Sequence, residues 1–439
     1  MTSHAMTIFS LSSAQGRAGV AIVRVSGTAA DTALLALTGR LPAYRVATLL
    51  ELCDPRSGEL LDKALVLRFA EGASFTGEAS VEFQIHGSRA VLSAVLDALG
   101  SLPDLRLAEA GEFTRRALDN GRLDLGQVEA LADLIDADTQ MQRRQALRGF
   151  EGNLGEAVHQ WRAVLLEAKA MVAAEIDFAD EGDVGENAAA GIDSLLKQLQ
   201  EHLQNALASA DRGQIITDGL RIALVGAPNV GKSTLLNALA GSDVAIVSEY
   251  AGTTRDVLEV RLDLEGYSVI VSDTAGLREA IDPVERIGVE RARQTAGKAD
   301  LLLLLDDGHG DCIVDEAWDG IPILRVRSKS DQALSPLGSY DFAISSRTGA
   351  GIDSLKKRIL MHLVELEGAE PPLITRLRQR RGVEKALDCC REARDSHLKG
   401  IEFVDANLQR LDQALSEIIG LIGVEDVLGA IFSRFCVGK

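Results

Sequence analysis

The sequence predicts a multidomain protein of α/β plus all-α class: a mixed α/β domain, then a helical body with a doubly wound phosphate-binding sheet inserted into it. Three observations carry this. At 439 residues the chain is too long for one ordinary core, and about three domains is the expectation at that length. Residues 219–367 alternate apolar strand-like runs with helical spacing, whereas the stretches on either side keep a helical period. Finally, Gly226-Ala-Pro-Asn-Val-Gly-Lys-Ser-Thr234 sits between the apolar run Leu220-Arg-Ile-Ala-Leu-Val225 and the helix-like Leu235-Leu-Asn-Ala-Leu-Ala240. That is the context the G-x-x-x-x-G-K-[ST] loop requires.

Residues 1–122 read as the first domain. Thr7–Leu11, Val20–Val25, Ala64–Phe69 and Ser80–Ile85 are strand-like, the last alternating apolar and polar, and Val91–Leu102 has helical spacing. The segment Gly111–Leu125 leads out of this domain. Residues 123–217 are the first helical part, with three apolar stripes. Val128, Leu131, Leu134 and Ile135 form one; Leu154, Val158, Trp161, Leu165, Val172 and Ile176 form another; Ile192, Leu195, Leu196, Leu199, Leu203 and Leu207 form the third. An acidic, glycine-broken loop, Asp180–Asn187, separates the last two. Residues 218–370 are the nucleotide domain, with Val260–Leu264 and Tyr267–Val271 joined as a hairpin by Glu265-Gly266, then strands at Leu301–Leu305, Ile323–Val326 and Phe342–Ile344, and a helix over 352–366. Residues 371–439 are the second helical part: after Pro371-Pro372 the helical period resumes from Leu373 to Phe435, through Val383, Leu387, Leu408, Leu411, Leu415, Ile418 and Ile422. An inserted domain of this kind would be coupled to the helical body through two linkers.

Composition narrows the class. A 46% hydrophobic, 25% charged chain is that of a soluble globular protein, and no apolar run approaches a membrane span. The N-terminus lacks the basic-then-apolar pattern of a signal peptide, and Met6 is a candidate start beside Met1. Five cysteines without C-x-x-C spacing argue for reduced thiols in a cytoplasm, with no disulfide framework or zinc site. A net charge of −19 argues against a protein that coats nucleic acid by itself, so an RNA partner would need a local basic patch or a second protein.

The chemistry-bearing residues lie mainly in the inserted domain. Gly226 and Gly231 let the loop's N–H groups turn toward a β-phosphate, reinforced by the helix N-terminus. Lys232 would reach the β- and γ-phosphates, and Ser233 would ligate Mg²⁺. Asn229, Val230 and Thr234 complete the loop. Asp273-Thr274-Ala275-Gly276 ends a strand, where a carboxylate can hold Mg²⁺ through water and the Gly276 N–H can sense the γ-phosphate. Ala251-Gly252-Thr253-Thr254-Arg-Asp256 is placed as a switch loop that gives a threonine to Mg²⁺. In Ser328-Lys329-Ser-Asp331, Asp331 would accept two hydrogen bonds from the Watson–Crick edge of guanine, a discrimination of roughly 10⁴ against a base that cannot donate them. Ser345-Ser346-Arg347 follows the next strand, where a backbone N–H can meet the base oxygen. Together these predict GTP.

Two departures stand out. The guanine motif is usually Asn-Lys-x-Asp, and Ser328 replaces the Asn, which predicts weaker nucleotide binding with specificity kept by Asp331. Leu277 follows Gly276, where many small GTPases carry a water-orienting glutamine, and no cis arginine finger is evident, a group worth about 10³–10⁵ in rate.

Gly-x-Pro-Asn-x-Gly-Lys-Ser, Ala-Gly-Thr-Thr-Arg-Asp, Asp-Thr-Ala-Gly-Leu-Arg and Val284-Glu-Arg-Ile-Gly288 resemble the bacterial MnmE (TrmE) family of tRNA-modification GTPases. So do Arg24-Val-Ser-Gly27, Phe75-Thr-Gly-Glu78, Glu112-Phe-Thr-Arg-Arg-Ala117, Leu123-Asp-Leu125 and the terminal Phe435-Cys-Val-Gly-Lys439. The resemblance covers essentially the whole chain. It implies an N-terminal folate-binding-like α/β domain, a helical domain and an inserted Ras-like P-loop GTPase domain. It implies K⁺ in place of the arginine finger, with Asn229 as side-chain ligand and further oxygens from the loop Ser248-Glu249-Tyr250-Ala251-Gly252-Thr253, at Ser248, Tyr250 and Thr253. Thr254 matches the Mg²⁺ threonine, and Glu285 the glutamate that positions water indirectly; without the resemblance Glu285 reads as a solvated carboxylate.

In the N-terminal domain the resemblance assigns folate contact to Arg24, Glu82, Arg122 and Lys439, with 5-formyl- or methylene-tetrahydrofolate as one-carbon donor. The family often has Lys where Arg122 stands. His86 reads as structural. Cys436, with no His or Asp at fixed spacing, reads as a buried tail thiol at least as readily as a nucleophile, and Cys389 and Cys390, on different sides of a helix, read as core or incidental. Arg376, Arg378, Arg380 and Arg381 form a basic cluster that reads as a solvated helix start. The implied function is modification of carbon 5 of the wobble uridine of certain tRNAs. The implied assembly is a homodimer through the N-terminal domain, working with the flavoprotein MnmG (GidA) in a heterotetramer that supplies most tRNA contact, with no membrane. The alternative is a ribosome-assembly GTPase that binds rRNA, which would predict a basic RNA-binding appendix; a scaffold with structural GTP is a third reading.

Overall fold

The computed structural model describes residues 6–177, 185–227, 229–241, 258–273, 293–308, 318–332, 340–367, 371–396, 400–421 and 438. The chain forms two compact units, Met1–Ala132 with Ser416–Lys439, and Asp133–Leu415.

The first unit is built on a six-stranded sheet of order β3-β4-β5-β2-β1-β6. Its strands are β1 (Thr7–Leu11), β2 (Ala18–Ser26), β3 (Thr48–Cys53), β4 (Leu60–Phe69), β5 (Ser80–Gly87) and β6 (Leu105–Leu107). All pairings are antiparallel except β1 with β6. Inward residues of the alternating strands, among them Val23, Val25, Val81, Phe83 and Ile85, meet Leu34 and Leu37 of α1 (Ala30–Thr38) and Val95 and Leu99 of α2 (Arg89–Gly100). On β5 the other parity, Glu82, Gln84 and His86, is less buried, the alternation of a half-buried strand. The Ser88 side chain caps α2 by accepting from the Val91 N–H at 3.1 Å.

Sequence reading missed α1, β3 and β6. Strand β3 lies at the sheet edge and leaves Leu49 68% exposed, so its Thr-Leu-Leu-Glu-Leu-Cys carries no clean period. The segment that leads out of the first domain forms α3 (Glu112–Asp119), with Phe113 and Arg116 fully buried. Arg116 escapes an apolarity-based reading because its charge is satisfied inside. It donates to Glu78 (3.1 Å), to Glu112 (3.0 Å) and to the Met6 carbonyl (2.9 Å). Helix α4 (Leu125–Asp136) follows, with Leu125 and Val128 buried. Ile135 on the same stripe is 40% exposed. Near the end of the chain, the Gly438 carbonyl accepts from Ser12 Oγ at 2.8 Å. A Cβ on Gly438 would lie 1.8 Å from the Leu11 carbonyl oxygen, and its φ is +107°, so only glycine fits there.

In the second unit a sheet of order β12-β11-β10-β7-β9-β8 is parallel apart from β8. Its strands are β7 (Leu220–Gly226), β8 (Leu258–Leu264), β9 (Tyr267–Asp273), β10 (Leu301–Asp306), β11 (Ile323–Arg327) and β12 (Phe342–Ala343). This is the doubly wound sheet with one antiparallel strand that the alternation predicts. Five consecutive leucines in β10 suit a central strand covered on both faces. Leu301, Leu303 and Leu305 enter one core cluster, and Leu302 and Leu304 enter another with Ala223, Val225 and Trp318. Glu265 and Gly266 both have positive φ, 52° and 94°, the geometry of a tight type I′ hairpin.

The remaining helices are α5 (Gln140–Phe150), α6 (Asn153–Asp177), α7 (Gly185–Ala208), α8 (Ala210–Asp218), α9 (Lys232–Ala240), α10 (Ile352–Glu367), α11 (Leu377–Asp395) and α12 (Ile401–Ile419). The stripes pack as predicted at Leu154, Val158, Trp161, Leu165, Val172, Ile192, Leu196, Leu199 and Leu203, and Ile176 departs at 41% exposed. Most of the acidic loop read at 180–187 lies outside the described residues, and α7 already begins at Gly185. Cys389 and Cys390 are both buried. Burial pushes the Cys390 thiol up to about 12, and its Sγ donates to the Leu196 carbonyl at 3.3 Å, an inert core role. The basic cluster is not simply solvated. Arg376 pairs with Asp133, and Arg380 with Glu384 and Asp211. Helix α5, opened by a Thr139–Gln142 capping box, touches three parts of the inserted domain's frame. Gln142 Nε2 donates to the Thr217 carbonyl (3.0 Å), Gln145 Nε2 to the Pro372 carbonyl (3.1 Å), and the Met141 N–H to the Gly266 carbonyl (3.0 Å).

Candidate functional site

The phosphate loop joins β7 to α9. A Cβ on Gly226 would come within 2.3 Å of the Leu305 carbonyl oxygen, so glycine is required where the loop leaves the sheet. Gly231, at φ +107°, caps α9 in the left-handed region, and Asn229 is also left-handed at +60°. Val230 is 2% exposed and joins the core cluster, which anchors the middle of the loop. Lys232 opens the helix and is buried. Its ammonium donates to the carbonyls of Gly226 (2.9 Å) and Ala227 (3.0 Å). Burial lowers its pKa, against an upward pull from Asp273.

Ser233 Oγ donates to Asp273 Oδ2 at 2.6 Å, although the two residues lie 40 apart in sequence. Asp273 is 7% exposed, and its Oδ1 is buried with no hydrogen-bond partner among the described residues. A buried carboxylate oxygen without a donor, beside a serine hydroxyl, is the donor set of a hard cation, so these residues fit Mg²⁺. Thr234 is on the exposed side of α9.

The base side is carried by the ends of β11 and β12. Ser345 Oγ donates to Asp331 Oδ1 at 2.7 Å. That bond is the main reason the Asp331 carboxyl is held below its ordinary range, so it is an ionised acceptor. The Ser345 N–H already donates to the Ala350 carbonyl at 2.9 Å. It is therefore not free for a base oxygen, and of the Ser345-Ser346 pair Ser346 keeps that expectation. Lys329, with φ 51°, pairs with Asp307 at 2.9 Å, a partner not anticipated from sequence. Ser328 Oγ donates to the Val230 carbonyl at 2.6 Å. Arg347 is exposed next to Ser346. Ser248, Glu249, Tyr250, Ala251, Gly252, Thr253, Thr254, Thr274, Ala275, Gly276, Glu285, Cys436 and Lys439 lie outside the described residues.

A second cluster forms in the first unit, where three sequence motifs far apart in the chain converge. Ser26 Oγ donates to Glu78 at 2.7 Å and lies 2.6 Å from Thr76 Oγ1. Glu78 accepts from Arg116, and Glu112 accepts from both Arg116 and Arg106. Arg24 and Glu82 are register partners on β2 and β5. They bond through Arg24 Nε (3.0 Å) and Nη2 (2.8 Å), both to Oε1. The Arg24 guanidinium also stands over the rings of Phe75 (5.3 Å) and Phe113 (5.7 Å). Arg122 reaches the same loop, its Cγ 3.2 Å from where a Gly77 Cβ would be. The two rings were missed as site residues, although both lie inside motifs visible in the sequence. His86 hydrogen-bonds Asp62 at 2.7 Å with its ring 71% exposed, in keeping with a structural reading.

A glycine-bounded loop feeding a helix, on a parallel sheet with a Ser–Asp pair at one strand end and a Lys-x-Asp segment at another, defines a P-loop GTPase. The family model for the MnmE helical domain matches residues 125–436, and that for the GTP-binding protein TrmE N-terminus matches residues 7–122. The chain belongs to the MnmE (TrmE) family of tRNA modification GTPases. A tRNA modification GTPase MnmE from Bradyrhizobium sp. (strain ORS 278) is 46% identical over 447 residues, covering 100% of both chains. The MnmE of Cereibacter sphaeroides is 47% identical over 438 residues, covering 99% of this chain and all of the relative. Among solved structures, an Aquifex aeolicus Era variant bound to GDP·AlF4⁻ shares 29% identity over 38% of this chain and 66% of that one, with a TM-score of 0.28. As a member of the family of its full-length relatives, the protein is a GTP hydrolase. No helix among the described residues is long and apolar enough to cross a membrane.

Proposed function

We propose that this GTPase, with GTP and Mg²⁺, uses potassium and works with the flavoprotein MnmG (GidA) to add a carboxymethylaminomethyl or aminomethyl group to carbon 5 of the wobble uridine of certain tRNAs. The observation that carries the hydrolytic part is the Ser233–Asp273 contact with Asp273 Oδ1 left without a donor among the described residues. Bound Mg²⁺ and K⁺ would neutralise the charge that develops during phosphoryl transfer. Ser233 and Thr254 would hold the first. Asn229, already left-handed and exposed in the loop, would hold the second with Ser248, Tyr250 and Thr253. Lys232 would bind the β- and γ-phosphates, Gly276 would sense the γ-phosphate, and Glu285 would orient water indirectly. Asp331 would read guanine, with Ser346 placed for its oxygen.

In the first unit, Arg24, Glu82, Arg122 and Lys439 would bind a folate one-carbon donor, 5-formyl- or methylene-tetrahydrofolate. The half-buried Arg24–Glu82 pair beside two phenylalanine rings offers a planar donor–acceptor edge and stacking faces, which suits a pterin. The bond from Ser12 to Gly438 supports a tail that returns to β1, where Ser10 faces Arg24 across the ladder. The domains would run 1–122, 123–217, 218–370 and 371–439, in a cytoplasmic homodimer through the N-terminal domain, forming a heterotetramer with the partner. The −19 charge leaves most tRNA contact to that partner.

The deciding experiment is GTP hydrolysis by the purified protein in KCl against NaCl at matched ionic strength. The expected result is strong potassium stimulation that Asn229→Ala abolishes. Equal slow turnover in both salts would overturn the potassium mechanism while leaving the GTPase assignment intact.

A further inference from the structure

The guanine segment departs from Asn-Lys-x-Asp at Ser328, and the packing around that residue is specific. Ser328 is 4% exposed. Its N–H donates to the Asp306 carbonyl at 2.8 Å, its Oγ donates to the Val230 carbonyl at 2.6 Å, and the same Oγ lies 3.3 Å from the Asp306 carbonyl. Val230 is the core-anchored middle of the phosphate loop, and Asp306 ends the central strand β10. One side chain therefore joins the loop between β7 and α9 to the segment after β11 that carries Asp331. A Cβ built on Gly231 would sit 4.0 Å from Ser328 Cβ, so the two segments are in van der Waals proximity there.

We infer that Ser328 is a positioning residue whose hydroxyl fixes the spacing between the phosphate half and the base half of the nucleotide site. This rests on the guanine-nucleotide reading given above. A ligand held at both ends gains from the second contact only as far as the two halves keep a fixed separation, because that separation sets the effective concentration of one half for the other. The short serine makes the bond that holds it. The weaker binding expected from loss of the asparagine amide is accordingly offset by a direct 2.6 Å bond. Truncating the donor leaves the buried Val230 carbonyl without a partner among the described residues, a change worth about tenfold in an equilibrium constant.

The test compares GDP with inorganic pyrophosphate on the full-length protein, using displacement of a fluorescent GDP analogue. Wild-type protein that bound neither would refute the nucleotide site itself, independently of the tether. With wild-type binding in hand, Ser328→Ala is expected to weaken GDP about tenfold, leave pyrophosphate unmoved, and raise the KM for GTP more than it lowers kcat. Equal loss for GDP and pyrophosphate would show that the loop merely collapses, and no loss for either would show that the bond is idle; each overturns the inference. If the alanine variant does not fold, Ser328→Cys, an isosteric residue with a weaker donor, carries the same comparison. GDP loosened with pyrophosphate unmoved supports the tether, and any parallel response of the two ligands overturns it.

Discussion

At the scale of single residues, the informative positions are charges whose partners lie far away in sequence. Burial pushes the Glu112 carboxyl up, but hydrogen bonds from Arg106, the Glu109 N–H and Arg116 outweigh it, and the net shift is below its ordinary 4.5. A carboxyl lowered in the folded state stabilises fully above its unfolded value and loses that contribution as pH falls through the folded one. The first unit should therefore lose stability as pH drops below about 4.5. Glu112→Gln should cost roughly 3 kcal/mol at neutral pH, because it leaves buried Arg116 short of a counter-charge, and should flatten that acid dependence. Chemical denaturation followed across pH tests both statements. On the base side, Ser345→Ala removes the hydroxyl that holds Asp331 ionised. GTP KM should rise about fivefold, and the acid limb of GDP binding should move to higher pH, since Asp331 then protonates sooner. A pH series of GDP affinity separates this from simple loss of fold.

Among elements, α5 is the one whose role least resembles its sequence. Its Arg- and Gln-rich face looks solvated, yet Gln142 and Gln145 are 9% and 7% exposed and bond the Thr217 and Pro372 carbonyls, on the two segments that flank the inserted sheet. Gln145→Ala should destabilise the second unit by roughly 1–3 kcal/mol, the cost of leaving a buried carbonyl unpaired. Urea unfolding gives the value, and a change under half a kcal/mol would mean that water replaces the amide. Gly213 of α8 is a stricter constraint, since a Cβ there would lie 2.0 Å from the Ile374 carbonyl oxygen. Backbone cannot yield as a side chain can, so Gly213→Ala should cost at least about 1–3 kcal/mol, read as a lowered Tm. The same helix α5 donates from Met141 to Gly266, at the turn between β8 and β9. The far end of β9 is Asp273, so a single hairpin runs from the candidate cation ligand to the helical layer.

For the whole molecule, family and enzyme class were legible from sequence because the relevant signals are local. A phosphate loop is a run of nine residues whose glycines and lysine act through their own backbone and side chain. The strands around it are apolar runs whose burial follows from period and length alone. The doubly wound sheet, the β8–β9 hairpin and the leucine stripes accordingly appear where the pattern places them. Where the chain departs from expectation, the cause is a contact between distant segments. Arg116 is buried because Glu78 and Glu112 reach it, and the Ser345 amide is occupied because Ala350 folds back on it. Arg24 and Glu82 pair because strand register sets them opposite each other, a consequence of sheet order that neither residue encodes. The sequence by itself determined which chemistry the protein carries, since residue type and short spacing suffice for that. Only the tertiary structure decided which donor each acceptor receives, because hydrogen bonds form between groups that the fold, not the chain, makes neighbours.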